Sequence, residues 1–146
     1  MIRRPPRSTR KESSAASDVY KRQAYLFAEK QGYSKFGNYT GNGNANGAFV
    51  YTGFNPAWVL IKRSDATQAW ELRDNKRANP YNLQTGTMYV NTSGAEDNGE
   101  GIDMLSNGFK CRASGGGQNA SGANYIYFAF AESPFVNSNG ISNNAR

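Results

Sequence analysis

The side chains that usually carry enzyme chemistry are scarce in this chain. Histidine is absent, so the commonest general base and the commonest metal ligand are missing together. A hydrolytic triad on its usual histidine-dependent terms is excluded. The single cysteine, Cys111, can build neither an internal disulfide framework nor a multi-cysteine zinc site. It shares a strand face with Phe109, opposite Lys110 and Arg112, and reads as a small core hydrophobe. The carboxylates remain. Glu71, Asp74, Asp103 and Glu132 sit on or beside predicted strands, where two acids could serve a glycan-cleaving enzyme, but their spacing singles out no pair. Glu96, Asp97 and Glu100 share the loop Ser93–Gly101, with Asp103 just beyond. Their spacing does not match an EF-hand calcium loop, and a solvated acidic loop is the plain reading. No catalytic, metal-binding or cofactor-binding residue is assigned, and a non-enzymatic domain is expected.

Recognition chemistry is better supplied. Aromatic residues are abundant, and several sit beside loops rich in amide side chains. Rings stack on the apolar face of a pyranose while amides bond its hydroxyls, so this mixture suits sugar binding. Tyr39, Tyr81, Tyr89 and Asn119 are the candidate ligand-binding residues. Asn38, Asn91 and Asn119 also match the glycosylation pattern, although in so asparagine-rich a chain such matches arise by chance.

The elements that must position these residues are strands. Phe49–Asp74 is the stretch around which the rest is organised. Within Ala57–Ile61, Trp58 and Leu60 point to one face and Val59 and Ile61 to the other, as in an interior strand covered on both sides. After the loop Ser64–Gln68, Ala69–Asp74 alternates strictly. Trp70, Leu72 and Asp74 share one face, Glu71 and Arg73 the other. This predicts a half-buried strand paired by a hairpin with the one before, its Trp70 and Leu72 turned to the core. Both tryptophans read as core rather than ligand platform because they alternate in register with aliphatics. Further strands are expected at Tyr33–Tyr39, Ala48–Thr52, Met88–Val90 and Tyr125–Ala131, the last of them central. Asn107-Gly108 predicts a hairpin between Ile102–Leu105 and Phe109–Arg112. Short strands, frequent turn signals and no amphipathic helix predict an all-β fold, an antiparallel β-sandwich or jelly roll of lectin-like form. No apolar run approaches the ~18 residues of a membrane helix, so no membrane partner is expected.

The first 23 residues are a different object. The chain carries a formal charge of +6, but most of it lies in this arm, and residues 24–146 hold ten basic against nine acidic side chains. Met1–Thr9 and Ser13–Gln23 resemble the in-frame translation of a sequencing-library adapter, with Arg10–Glu12 as room for a short index between them. That resemblance implies an artefactual, disordered arm and removes the main argument for nucleic acid. Ala24–Glu29 echoes Tyr127–Glu132, and residues 24–32 read as the end of an upstream unit. Residues 33–136 then form the sandwich, and 137–146 a frayed tail.

At FVYTGFNPAWVLIKR, AWELRDNKR, GIDMLSNGFKCR and NASGANYIYFAFAESPF, with YSKFGNYTGNG upstream, the chain resembles a β-rich domain of tailed-phage structural proteins. These are of marine and metagenomic type, taken to be tail fibres or related virion components. The resemblance covers about Tyr33–Phe135 and brings no catalytic residues. It implies a virion location, in a tail or surface appendage. The partners it implies are other virion proteins, further copies of the chain in a homo-oligomer, and cell-surface glycans. A purely architectural or oligomerisation domain is the alternative reading, and a glycan-cleaving enzyme with paired carboxylates the third.

Overall fold

The computed structural model describes residues 25–77 and 81–133. The basic arm 1–23, Pro80 and the tail 137–146 lie outside the described residues. Among those described there are eight strands and no helix: β1 (Ser34–Thr40), β2 (Phe49–Tyr51), β3 (Pro56–Arg63), β4 (Trp70–Asp74), β5 (Met88–Tyr89), β6 (Ile102–Leu105), β7 (Gly108–Cys111) and β8 (Asn124–Ala131). All pairings are antiparallel. A five-stranded sheet runs β1-β8-β3-β4-β5 and a three-stranded sheet β2-β7-β6. The all-β, two-sheet antiparallel expectation holds, and the hairpins β3–β4 and β6–β7 are both present, the second turning at Ser106–Asn107 with Gly108 already paired to Leu105 in β7. Pro56 is the first residue of β3, a position where its missing N–H is tolerated.

The core lies between the sheets. Val59 and Ile61 of β3 and Tyr125, Tyr127 and Ala129 of β8 meet Val50, Ile102, Met104, Phe109 and Cys111 from the smaller sheet. Each large apolar side chain buried here contributes roughly 1.5–3 kcal/mol. The buried hydroxyl of Tyr125 is satisfied twice, donating to the Gly116 carbonyl at 2.9 Å and accepting from the Ala120 N–H at 2.9 Å. Gly37 of β1 makes room for the Tyr127 ring, which a Cβ there would meet at 3.0 Å.

The structure corrects the reading of β4. Register pairs Val59 with Arg73 and Ile61 with Glu71, so the charged face of β4 turns into the core. Trp58, Leu60, Trp70 and Leu72 share the opposite, outward face, where Trp58, Leu60 and Trp70 are half-buried. The tryptophans are thus outside the inter-sheet core. The reason is that β3 is apolar on both faces, so its own pattern cannot say which one meets the second sheet. Once Val59 and Ile61 take that place, antiparallel pairing carries Glu71 and Arg73 inward.

The segment 25–29 differs as well. It forms no strand, and it packs onto this domain. Phe27 touches Phe36, Phe128 and Phe130, the Ser34 hydroxyl donates to the Ala28 carbonyl at 2.9 Å, and the Phe36 N–H donates to Glu29 Oε1 at 3.0 Å.

Candidate functional site

The four residues expected to bind ligand do not form one site. Tyr39 lies on β1 and Tyr89 on β5, at opposite edges of the large sheet. Tyr39 turns inward: its ring stacks on Tyr125 with centroids 5.1 Å apart, and its hydroxyl donates to the Gln118 carbonyl at 2.6 Å. Burial raises its phenol well above the ordinary range. Asn119 is fully buried. Its Nδ2 is within 2.9 Å of the Ala113 carbonyl, the Asn44 carbonyl and Asn42 Oδ1, while its Oδ1 accepts from the Asn42 N–H at 3.0 Å. Tyr39 and Asn119 are therefore structural, and Asn119 is no glycosylation acceptor. Asn119 holds the loop 42–46, where Asn44 and Asn46 each donate a backbone N–H to the asparagine two residues earlier. Tyr89 donates to Asp97 Oδ2 at 3.0 Å. Tyr81 stands exposed on a loop.

The carboxylates are distributed over different layers, and most are held by cations. Glu71 faces the core with Arg73, Asp74 lies on the outward face of the large sheet with Arg77, and Asp103 lies on the outward face of the small sheet with Arg112. Lys76 reaches Glu132 at 2.7 Å. In the acidic loop, Glu96 faces Arg77 at 3.6 Å, and Asp97 accepts from Tyr89 and from the Gly99 N–H. Among the described residues no three acid or thiol side chains gather to hold a metal ion.

Glu71 has one acidic neighbour that its strand position did not reveal. Glu100, just before β6, titrates above its ordinary value because of burial first and the charge of Glu71 second. Arg73, 1% exposed, donates from Nη2 to Glu71 Oε2 at 3.0 Å and to the Glu100 carbonyl at 3.4 Å. Gly115 and Gly117 close over the two carboxylates so tightly that a Cβ on either would overlap them. Cys111 borders this cluster, and burial pushes its thiol up to about 11, so it is no ready nucleophile. This charged cluster lies between the sheets, with Glu71 and Arg73 buried and Glu100 half-buried at its edge.

An open and chemically mixed surface lies on the outward side of the small sheet. On β2, Val50 points into the core, so Phe49 and Tyr51 point out, 47% and 64% exposed. Register sets Phe49 in line with Lys110 and Asp103, and Tyr51 in line with Gly108 and Leu105. Arg112 Nε lies 3.3 Å from Asp103 Oδ2. Glycine at 108 lets the hairpin approach β2 closely: a Cβ there would overlap the Val50 carbonyl and stand 3.1 Å from the Phe49 ring. Two exposed rings thus flank an acid, a lysine and an arginine on one short face. Sequence reasoning treated Ala48–Thr52 only as a strand. The available signal was the alternation Phe-Val-Tyr, opposite a hairpin whose Lys110 and Arg112 were already expected to face out.

A family model described as a domain of unknown function (DUF7483) matches residues 7–134. The match takes in part of the adapter-like arm and all eight strands. No curated protein and no solved structure matches the chain.

Proposed function

We propose that this chain, which belongs to the DUF7483 family, is a non-enzymatic domain of a phage virion appendage that holds a host-surface glycan on the outward face of its small sheet. The observation that carries this reading is the exposed pair Phe49 and Tyr51 on β2, with Phe49 in register with Lys110 and Asp103 and Tyr51 in register with Gly108 and Leu105. The rings supply stacking surface for a pyranose. Asp103 accepts and Arg112 and Lys110 donate hydrogen bonds at the rim, which gives orientation. The virion location rests on the resemblance of the strand motifs to phage structural domains. Holding rather than cutting is favoured because Glu71 and Glu100 are roofed by Gly115 and Gly117, and because Asp74 and Asp103 are each engaged by an arginine.

A polysaccharide array probed with the full chain tests the proposal. The wild-type chain is expected to retain a subset of bacterial envelope polysaccharides, and the double variant Phe49→Ala/Tyr51→Ala to lose them with an unchanged circular dichroism spectrum. Silence across the array, or retention by the double variant, overturns it.

A further inference from the structure

The opposite surface of the molecule has a different character. Register across the large sheet aligns Phe36, Phe128, Leu60, Leu72 and Met88 in one row that crosses all five strands on the outward face. The row contains no polar side chain. Trp58 stands in the row on one side of it and Trp70 in the row on the other. The rings interlock edge to face: Trp58 with Phe130 at 5.3 Å and 67°, and Phe36 with Phe128 at 5.3 Å and 69°. No second sheet of the described chain covers them. The charged side chains on this face are already engaged within the chain. Lys62 Nζ donates to the Gln68 carbonyl at 2.9 Å, and Asp74 accepts from Arg77 at 2.7 Å.

We infer that this face is a self-association surface on which a second copy of the chain packs, large sheet against large sheet. The inference stands independently of the glycan reading, which uses the other side of the molecule. Three features identify the occupant. Five strands at about 4.8 Å spacing and three rows of side chains give a patch roughly 20 Å on each side, and pairing it with its own copy removes on the order of 1,000 Å² from water, the lower bound for a specific interface. Among the described residues the charges on this face are few, Asp74 paired with Arg77 and Lys62 bonded to the Gln68 carbonyl, so a dissimilar partner finds little to match. An apolar pleated face is also complementary to itself at the ~10 Å separation of stacked sheets, so a two-fold pairing needs no other surface. A sugar is disfavoured here, since the rings pack edge to face against one another and the central row offers no hydrogen bond. Phe27 from segment 25–29 packs on Phe36, Phe128 and Phe130 at the β1–β8 end of this face, and with Leu26, 92% exposed, it adds its own apolar surface there.

Sedimentation velocity on the full chain, from low to high micromolar concentration, tests this. A reversible monomer–dimer equilibrium is expected. Leu60→Glu, at the centre of the row, and Met88→Glu, at its exposed end, should each raise the dissociation constant at least tenfold, while Tyr51→Ala leaves it unchanged. If Leu60→Glu fails to fold, Met88→Glu decides alone. The inference is overturned if the wild-type chain is monomeric throughout, whatever else covers the face. It is equally overturned if folded charge variants dimerise like wild type, or if Tyr51→Ala is the change that abolishes association.

Discussion

The two sheets turn contrasting surfaces outward. The small sheet presents two exposed rings, Phe49 and Tyr51, on a face that also carries Asp103, Lys110 and Arg112. The large sheet presents an unbroken apolar row flanked by tryptophans, with Lys62 and Asp74 beside it bonded to the Gln68 carbonyl and to Arg77. Strand composition explains the difference. β2, β6 and β7 alternate apolar with polar or exposed residues, and each therefore has one wet face. β3 and β8 are apolar on both faces, and a three-stranded partner sheet can cover only one of them. The lesson is that an interior strand within a sheet need not be buried on both sides within its own chain. The surplus apolar face is the one inferred to take a second copy, and the mixed face the one proposed to take a glycan.

The largest expected effect breaks both faces together. Arg73 is the cation of the charged layer beneath them, and Arg73→Ala strands Glu71 in the core. A loss of about 3–5 kcal/mol is expected from a buried charge left without its partner. Urea unfolding checks this, and a loss below about 1 kcal/mol would show that the pair is not energetically buried.

A smaller change separates the faces. Tyr51→Ala should weaken glycan binding about tenfold, or 1.4 kcal/mol, with no effect on sedimentation. Met88→Glu should do the reverse, abolishing association while the affinity of each site persists. Titration calorimetry with a polysaccharide fragment reads the first, and a single variant that lost both properties would merge the two faces into one. If both hold, dimerisation doubles the number of glycan sites per particle and raises avidity without a new contact.

The smallest effect concerns pH. The fold raises the affinity of Glu100 for its proton, through burial and then the charge of Glu71. Its favourable contribution is therefore fully present below the unfolded carboxylate value and is lost as pH rises through the raised folded value. Glu100→Gln should accordingly be more stable than wild type at neutral pH, with the gap closing as the pH falls below the ordinary glutamate range. Urea midpoints at two pH values check the sign, and a gap that widened on acidification would reverse it.

Much of the architecture is legible in the residues. Asn107-Gly108 between alternating runs marks the β6–β7 hairpin, and the turn-bounded run Ala57–Arg63 marks β3, because turn geometry and side-chain period are local properties. Cys111 in the core follows from the same alternation. The candidate site was far less legible. Asn119 looks like a loop amide open to ligand, yet two oxygens and an N–H from the distant loop 42–44, together with the nearby Ala113 carbonyl, enclose it. Nothing near position 119 announces partners at positions 42 and 44. Phe49 and Tyr51 were visible as a strand but not as a platform, since their exposure depends on which face of β2 meets the other sheet.

The residue order alone thus determined the strands, their antiparallel turns, the lack of histidine chemistry and the alternation of each face. Only the tertiary structure decided which face went inside. In β4 that choice put Glu71 and Arg73 in the core and left Trp70 outside, beside Trp58 of β3, against the hydrophobic pattern of β4 itself. The physical reason is that period-two patterning defines two faces without ranking them. Register with a neighbour that is apolar on both sides, and the glycines and arginine that make a buried carboxylate tolerable, supply the ranking.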